Sequence, residues 1–478
     1  MSLKYMTFRA VWFRGSEMRI AIIGAGFTGA QLTLELLRRA PRGTTILLFE
    51  RSGVFGPGLA YSTVHADHLL NVRAANMSAF EDDPSHFLRW LWARNAPEAP
   101  ATDIPPSGHA FVPRGVYGAY LAATLAEAEA EAHPKVVVER LPQAVEALDE
   151  AADGVFLRLT GGAEIAADIA VVATGNNPPL WPNPQGIEDV PADRLIGDPW
   201  DDAALGRIGP DESVILLGTG LTTIDVVTVL GRRGHRGRIM AISRRGRLSR
   251  VHDQTRSWPP FLAPASVEPR IAAYMRRVRQ EIARAAAEGV DWRSVIDAIR
   301  PHTQGLWRAL PVAERRRFLR HVRPWWEIHR HRMAPQVAAG IERLMAAGTM
   351  TVAAGRVAGW AASGDGVAVT VKPRQGGGAI TLTADHVVNC TGASVDYRHL
   401  KAPLIRSLLD QGLARPDDLG LGLDVNDRLQ LIGADGAARP RIFALGPPTK
   451  AMFWEITAVP DIRKQGRAFA LRLFPNPV

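Results

Sequence analysis

The sequence predicts an α/β protein that contains the same strand–helix–strand unit twice. In the first copy, the apolar run RIAIIG precedes a glycine-rich turn, a segment with helical spacing and a second apolar run, TTILLFE. In the second copy, SVILLG, TGLTTIDVVTVLGRRG and RIMAISRR follow the same order. A glycine-rich turn between a buried strand and a helix is typical of dinucleotide-binding domains. The repeat therefore predicts two Rossmann-like dinucleotide-binding domains.

A second shared pattern follows each copy and predicts β-hairpin or meander insertions. Residues 136–175 contain a strand, a turn, an alternating hairpin and a buried strand that ends at Thr174 and Gly175. Residues 350–392 have the same order and end at Thr391 and Gly392. The second copy also has a segment rich in Arg, Trp and His with 3.6-residue spacing, which predicts a helical insertion.

These patterns predict the domain boundaries. Residues 18–205 and 386–478 form a discontinuous first domain, and residues 206–385 form the second domain, including the helical insertion 256–345. Residues 1–17 lack the continuous apolar region and the cleavage site of a signal peptide. We expect this start to be disordered, a tag remnant or an over-long reading frame.

Composition and charge indicate a soluble, cytoplasmic protein. No uninterrupted apolar stretch approaches the roughly 18 residues that span a bilayer, so no membrane segment is expected. The only cysteine, Cys390, excludes internal disulfides and a CxxC pair. Residues 231–335 contain 24 arginines and 8 acidic residues, which could bind a phosphorylated cofactor, an anionic substrate or nucleic acid, or form a solvated helical surface. Nucleic acid is disfavoured because no recognised nucleic-acid-binding module surrounds the segment.

The first glycine-rich turn predicts an FAD site. The first glycine of such a turn allows the tight bend, the second lets the backbone approach a pyrophosphate, and the third lets the helix pack on the strand. Glu50 ends the following strand and can accept both ribose hydroxyls of an adenosine that has no 2′-phosphate. The candidate cofactor-binding residues of this turn are Gly24, Gly26, Phe27, Thr28 and Gly29.

The second glycine-rich turn predicts an NADPH site. Its candidate residues are Gly218, Gly220, Leu221 and Thr222. Thr223 replaces the third glycine, and the following strand ends in Ser243, Arg244 and Arg245 instead of an acid. Arginines at this position can bind a 2′-phosphate, or they can be an exposed strand end of an Arg-rich protein. FAD would then be the fixed group and NADPH the hydride donor.

Seven stretches resemble a known protein family: GAGFTGA, FGPGLAYST, HLLNVRAANMSAF, FVPRGVYGAYL, LLGTGLTTID, GHRGRIMAISRRGRL and GPPTKAMFWEITAVPDIRKQ. The resemblance is to the two-dinucleotide-binding-domain flavoproteins, and within them to a bacterial group labelled FAD/NAD(P)-binding protein. It covers nearly the whole chain from Met18. More distantly, the chain is similar to the class B flavin monooxygenases, which include N-hydroxylases of amines and amino acids.

The resemblance implies further FAD contacts. FGPGLAYST and HLLNV, with Leu70 and Asn71, would lie beside the isoalloxazine ring, unless they form an ordinary loop. Arg114 opens a helix and would meet the FAD pyrophosphate or stabilise a surface. Val145 lies where related flavoproteins hold the adenine through backbone groups, and Thr174 and Gly175 close the same domain. The remaining candidates of the FAD site are Gly446, Glu455 and Thr457.

The C-terminal segment would act on the flavin through a helix dipole. Pro460 suits a first helical turn, so a helix is expected to begin near Val459. Its N-terminus would stabilise the negative charge of a reduced flavin. Related flavoproteins often have Gly-Asp here, with the Asp on the ribitol. This chain has Gly446 followed by two prolines, so that contact is absent or supplied otherwise.

The resemblance implies an FAD-containing, NADPH-dependent oxidoreductase. The predicted activity is that of a monooxygenase, which hydroxylates nitrogen or sulfur of a small polar metabolite through a flavin C4a-peroxide formed with molecular oxygen. The absence of CxxC excludes the disulfide reductase branch, and the missing FxGxxxHxxxW pattern disfavours Baeyer–Villiger chemistry. The alternatives are a flavin reductase or dehydrogenase that serves another electron acceptor, and a redox-sensing nucleotide-binding protein without turnover. No catalytic side chain and no oligomeric state is predicted.

Two features of the second domain have alternative interpretations. The segment HVRPWWEIHRHRMAP could be a substrate lid with aromatic faces and an anion clamp, or a packed helix pair with a basic exterior. It is a poor metal site, because His329 and His331 do not share a helix face. His252 and Asp253 could reach the nicotinamide region or serve as a cap.

Overall fold

The computed structural model describes residues 18–94 and 108–475, which divide into two compact units. The prediction for residues 1–17 lies outside the described residues. Unit 1 consists of the described parts of Met1–Val64, Val72–Asn177 and Val395–Val478. Unit 2 consists of His65–Asn71 and Pro178–Ser394. Each unit contains a mainly parallel sheet with helices, so the predicted α/β fold class is confirmed.

The elements are numbered in chain order over both units. The strands are β1 (Arg19–Ile23), β2 (Thr44–Phe49), β3 (Val136–Leu141), β4 (Val145–Glu150), β5 (Val155–Leu159), β6 (Glu164–Ala167), β7 (Ile169–Val172), β8 (Leu195–Ile196), β9 (Val214–Leu217), β10 (Ile239–Ser243), β11 (Met350–Ser363), β12 (Gly366–Pro373), β13 (Ile380–Ala384), β14 (His386–Asn389), β15 (Gln430–Ile432) and β16 (Ala438–Ala444). The α-helices are α1 (Phe27–Leu37), α2 (Gly58–Tyr61), α3 (His86–Arg94), α4 (Arg114–Ala132), α5 (Asp202–Leu205), α6 (Leu221–Arg232), α7 (Ile271–Ala287), α8 (Trp292–Ile299), α9 (Thr303–Ala309), α10 (Val312–Arg317), α11 (Arg323–Arg330), α12 (Pro335–Ala346), α13 (Pro403–Asp410) and α14 (Val459–Leu473).

Unit 1 is built on a six-stranded sheet with the order β15–β16–β7–β1–β2–β3. Neighbouring strands are parallel from β16 to β3, and β15 is antiparallel to β16. β1 and β7 are short apolar runs buried along nearly their whole length, as expected for central strands of a parallel sheet. β4, β5 and β6 form a separate antiparallel sheet, in which β5 alternates buried and exposed residues.

Unit 2 is built on a seven-stranded sheet with the order β13–β12–β11–β10–β9–β14–β8. β11 has 14 residues and serves two pairings: its first part runs parallel to β10, and its second part forms an antiparallel hairpin with β12. α12 connects β10 to β11 and buries Ala338 and Ile341 in the same apolar core as Val227 and Leu230 of α6. It is therefore the crossover helix of a Rossmann-like unit.

The boundaries of the two compact units differ from the predicted domain boundaries at two places. Residues 178–205 and 386–394 are part of the predicted first domain, and in the structure they group with unit 2. β14 lies between β9 and β8 and is parallel to both, so it is a central strand of the second sheet. The predicted helical insertion 256–345 also contains α12, which is part of the crossover itself.

A short segment of unit 2, His65–Asn71, interrupts unit 1 along the chain. Its Asp67 forms an ion pair with Arg232 of α6, and its His65 Nε2 lies 2.6 Å from Asp202 Oδ1. These partners lie more than a hundred residues away in sequence, so a pattern of local periodicity gave no sign of them.

The helices α7 to α11 form the Arg-rich insertion of unit 2. Arg332 ties two of its parts together, because its side chain is only 3% exposed and donates to Asp297 of α8 over 2.7 and 3.2 Å. Its Nε also donates to the carbonyl of His329 at 2.8 Å. In the described part of the chain, no helix is long and apolar enough to cross a membrane.

We expect Arg332→Ala to destabilise the insertion, because it leaves the Asp297 carboxylate and the His329 carbonyl without their donor. The loss should be about 2 kcal/mol, at the lower end for a charged pair because Asp297 is 42% exposed. Urea unfolding followed by tryptophan fluorescence measures it. Arg320→Ala is the control, since Arg320 is exposed in the same insertion, and equal losses in both variants would contradict the assignment.

Candidate dinucleotide-binding sites

The glycine turn of unit 1 is held against the ends of two strands. Gly24 has φ +103°, and a Cβ atom there would lie 2.5 Å from the carbonyl oxygen of Ala173, directly after β7. Its N–H donates to the carbonyl of Phe49 at 2.9 Å. Only glycine fits this position, for reasons of both conformation and space. The turn therefore lies at the carboxyl edge of the sheet, beside Thr174.

The next two glycines bring backbone close to backbone around the start of α1. A Cβ on Gly26 would lie 3.2 Å from Cα of Gly58, and a Cβ on Gly29 would overlap the carbonyl oxygen of Gly24. Gly26 caps α1 without a side-chain hydrogen bond, and α1 starts with Phe27 and Thr28. Helix N-termini with exposed backbone N–H groups bind phosphate. The backbone from Gly24 to Gly29 with the start of α1, called the cradle below, therefore fits a pyrophosphate.

Glu50 lies beside this turn, as its position in the sequence predicted. Its Oε2 accepts a hydrogen bond from the Ala25 N–H at 3.0 Å, and its Oε1 accepts from the N–H and the hydroxyl of Ser52 at 3.1 and 2.9 Å. The carboxylate is half-buried at the carboxyl end of β2. Each carboxylate oxygen has two lone pairs, so the group can accept further hydrogen bonds from a ribose.

One of the C-terminal candidates, Gly446, comes to the same helix. A Cβ on Gly446 would lie 2.5 Å from Thr28 Oγ1, so this loop contacts the first turn of α1. The Gly446 N–H donates to Gln465 Oε1 at 2.7 Å, which ties the loop to α14. α14 begins at Val459, the residue named from the sequence. Glu455, buried with φ +67°, and Thr457, exposed, lie in the irregular segment before it.

The other predicted FAD contacts are distributed over both units. Arg114 is the first residue of α4, and Val145 is the buried first residue of β4 in unit 1. Gly175 follows β7 at φ +71°. Leu70 and Asn71 belong to unit 2 instead, where the Asn71 carbonyl lies 3.0 Å from His252 Nε2.

Sequence reasoning missed an aromatic cluster next to the cradle. The ring of Tyr61 lies 4.7 Å from that of Tyr117 and 6.3 Å from that of Phe27, measured between centroids. Burial raises the pKa of Tyr61 to about 12. Gly118 makes the contact possible, because a Cβ there would collide with the Tyr61 carbonyl. The repeated glycines of FGPGLAYST and FVPRGVYGAYL were the available signal.

The glycine turn of unit 2 repeats the construction of unit 1. Gly218 has φ +128°, and a Cβ there would collide with the carbonyl oxygen of Cys390, which follows β14. Its N–H donates to the carbonyl of Ile242 at 2.7 Å. A Cβ on Gly220 would meet no described atom within 4 Å, so this backbone is open to a ligand. Leu221 and Thr222 begin α6.

The end of β10 is tied to this turn by hydroxyl groups. Thr219 Oγ1 lies 2.9 Å from Ser243 Oγ and 2.7 Å from the carbonyl oxygen of Arg247. The Ser243 hydroxyl also accepts from the Gly246 N–H at 3.0 Å. The predicted residues Ser243, Arg244 and Arg245 are therefore brought to the glycine turn.

Positive charge accumulates at this edge. Partial burial, and then the neighbouring cations Arg374, Arg244 and Arg247, lower the pKa of Arg245. Within residues 18–94 and 108–475, no carboxylate pairs with Arg244, Arg245 or Arg374. Arg374 was not predicted, since it lies in the loop after β12 and only the tertiary fold brings it here.

The Arg-rich insertion reaches the same loop. The guanidinium of Arg247 lies 4.1 Å above the ring of Trp325 on α11, and Trp325 is 37% exposed. His329 Nδ1 lies 2.8 Å from the Trp325 carbonyl oxygen. α11 thus packs beside the loop, and its role as a lid stays a prediction. Asp253 Oδ1 accepts from the N–H of Gln254 at 2.7 Å, a local contact of the capping kind.

The sulfur and metal chemistry of the described residues is limited. Cys390 is buried beneath the second glycine turn, and burial raises the pKa of its thiol to about 12. A thiol with so high a pKa is a poor nucleophile. Among residues 18–94 and 108–475, no group of histidine, cysteine and acidic side chains is placed to hold a metal ion.

Residues 21–177 match a family model described as FAD-NAD(P)-binding. This match confirms the resemblance to FAD/NAD(P)-binding proteins for those residues, which contain the first glycine turn and Glu50. A comparison with curated protein sequences gave no match.

Among solved structures, the fold is similar to that of amine hydroxylases. The ornithine N-hydroxylase of Kutzneria sp. 744, solved with reduced FAD, NADP+ and L-ornithine, has a TM-score of 0.62 at 16% identity, with 96% of this chain and 99% of that chain covered. The L-lysine 6-monooxygenase of Pseudomonas syringae has a TM-score of 0.62 at 16% identity, with 96% and 99% covered. The cadaverine monooxygenase of Erwinia amylovora, bound to FAD, has a TM-score of 0.62 at 12% identity, with 97% and 96% covered. The resemblance to the class B N-hydroxylases is thus confirmed at the level of the fold.

We expect Gly218→Ala to destabilise the protein by about 2 kcal/mol, because the new methyl group is strained at positive φ and collides with the Cys390 carbonyl. Gly220→Ala is the matched control in the same turn. It should leave the unfolding midpoint nearly unchanged while weakening NADPH binding, because its Cβ enters the open backbone face. Urea unfolding and isothermal titration calorimetry measure the two effects. A stable Gly218→Ala protein would show that the turn has a different conformation.

Proposed function

We propose that the protein is an FAD-containing, NADPH-dependent oxidoreductase that hydroxylates a nitrogen or sulfur atom of a small polar metabolite. One observation carries the proposal: the two glycine turns share a construction but are followed by opposite charges. Glu50 lies beside the first turn, and Arg244 and Arg245, which pair with no carboxylate in the part of the chain that the structure describes, lie beside the second. An acid suits the ribose diol of FAD, whereas arginines suit the 2′-phosphate of NADPH.

In unit 1, the backbone from Gly24 to Gly29 and the N-terminus of α1 would hold the FAD pyrophosphate. Glu50 would accept the ribose hydroxyls, and the start of β4 at Val145 would face the adenine. The segment from Gly446 to Val459 would present the N-terminus of α14 to the flavin, where its dipole favours negative charge. The rings of Phe27, Tyr61 and Tyr117 next to the cradle would keep water away from this part of the site.

In unit 2, the open backbone at Gly220 and the N-terminus of α6 would bind the NADPH pyrophosphate. Ser243, Arg244 and Arg245 would bind the 2′-phosphate, with Thr219 keeping their loop against the turn. When bound, FAD supplies hydride acceptance from NADPH and the reaction of the reduced ring with molecular oxygen. The side chains described above bind and orient the two nucleotides, and no side chain is assigned as an acid or base.

The fold neighbours favour nitrogen as the hydroxylated atom, since they act on ornithine, lysine and cadaverine. The fold is also similar to a bacillithiol disulfide reductase of Bacillus cereus, with a TM-score of 0.52 at 14% identity. The buried Cys390 argues against thiol exchange by this chain, because burial makes the thiol inaccessible and raises its pKa, which keeps it protonated. A small amine is therefore the substrate class to test first.

Replacing Arg244 and Arg245 together by Ala should weaken NADPH binding at least tenfold and leave NADH binding nearly unchanged, because only NADPH carries the 2′-phosphate. Both affinities are measured from the rate of flavin reduction under anaerobic conditions at varied NADPH and NADH concentrations. The control is Arg207→Ala with Arg343→Ala, which removes the same charge from exposed positions of unit 2. Equal losses for both nucleotides would refute the 2′-phosphate assignment.

Transient visible absorbance tests the oxygen reaction. The protein is reduced anaerobically with NADPH and mixed with oxygenated buffer. We expect a species that is neither reduced nor oxidised flavin to persist before the oxidised spectrum returns, and to decay faster when an amine substrate is present. Immediate return of the oxidised flavin would favour a reductase or dehydrogenase. NADPH binding without flavin reduction would favour a redox-sensing protein.

A further inference from the structure

Arg374 and the end of β10 both contact the same residue, Ala354. In the sheet, Ala354 of β11 is the partner of Ser243 in β10. The Arg374 N–H donates to the Ala354 carbonyl at 3.1 Å, directly after β12 ends at Pro373. On the other side, a Cβ on Gly246 would lie 2.9 Å from the Ala354 nitrogen. The β12–β13 loop and the loop after β10 therefore meet at this residue.

The charges of the two loops are not balanced by acids. Arg244 and Arg374 are exposed, Arg245 is partly buried, and in the described parts of the chain none of the three pairs with a carboxylate. Cations held together in this way repel one another. A bound dianion would remove that repulsion and accept several charge-assisted hydrogen bonds at once. The cluster lies at the carboxyl end of β10, the strand end at which Rossmann folds bind the adenosine ribose.

We propose that Arg374 lines the 2′-phosphate subsite on the side opposite Arg244 and Arg245, and that the preference for NADPH over NADH depends on it. The inference rests on the proposed NADPH site and adds a residue from a separate β-hairpin. A phosphate monoester has three free oxygens, so guanidinium groups from two loops can bind it from two sides. Arginines on two sides of the subsite favour NADPH over NADH more strongly than arginines on one side do. NADH has only a 2′-hydroxyl, so it leaves all of these cations without a neutralising charge.

Calorimetric titration of the FAD-loaded protein tests the proposal with two small probes. Adenosine 2′,5′-bisphosphate carries the 2′-phosphate, and 5′-AMP lacks it. Arg374→Ala should weaken the binding of the bisphosphate by roughly tenfold or more and change the affinity for 5′-AMP by less than about twofold. Arg374→Lys should recover part of the loss, because it keeps the charge but not the planar donor geometry. Arg343→Ala, at an exposed position in the last turn of α12, is the control and should change neither probe.

Two other outcomes separate the failure of this inference from that of the proposed function. If Arg374→Ala binds the bisphosphate as the parent does, while the Arg244 and Arg245 double variant loses it, Arg374 is not part of the subsite and the NADPH assignment stands. If the parent protein itself binds the bisphosphate no better than 5′-AMP, the NADPH assignment and this inference both fail. Equal weakening of both probes by Arg374→Ala would also overturn the inference, because it indicates a general change of the site.

Discussion

The structure depends on one steric constraint that occurs once in each unit. The first glycine of each turn has its Cα against the carbonyl that follows a neighbouring parallel strand, at Ala173 in unit 1 and at Cys390 in unit 2. A side chain at either position would push the turn away from the sheet. Because the turn is held there, the following helix starts at the carboxyl edge of the sheet, where the end of the next strand also lies. The two proposed nucleotide sites follow from that placement.

The same scaffold is used for two electrostatic environments. In unit 1, hydrogen bonds from the backbone N–H groups of Ala25 and Ser52 hold the carboxylate of Glu50 in its orientation. The remaining lone pairs of its oxygens can accept hydrogen bonds from a ligand. In unit 2, the hydroxyls of Thr219 and Ser243 hold the loop at the turn, and no carboxylate of the described residues pairs with Arg244 or Arg245. Rigid backbone with charge at its edge is the arrangement expected of a preformed nucleotide site.

Much of this could be predicted from the sequence because it is local. The glycine spacing, the apolar runs and the residue at each strand end lie within about thirty residues of one another, and each determines its own backbone geometry. The start of α14 at Val459 followed from Pro460 in the same way. The pairing of β8 with β14 and the meeting of Arg374 with Arg245 could not be predicted, since sheet order and hairpin curvature bring together residues far apart in sequence. Sequence patterns also gave no sign that Leu70 and Asn71 belong to a segment grouped with unit 2, because that assignment reflects contacts with distant residues such as the Asp67–Arg232 ion pair.

The segment His65–Asn71 and the late return of the chain to unit 1 have a consequence for biosynthesis. All strands of the second sheet lie before residue 395, whereas the first sheet needs β16, which follows it. Unit 2 can therefore complete its sheet on the ribosome while the strand β7, which pairs with β16 in the finished protein, still has an open edge. The order of completion is thus reversed relative to a chain whose N-terminal domain is continuous. A chain truncated shortly after residue 394 would contain every strand of the second sheet but would lack β15 and β16 of the first sheet.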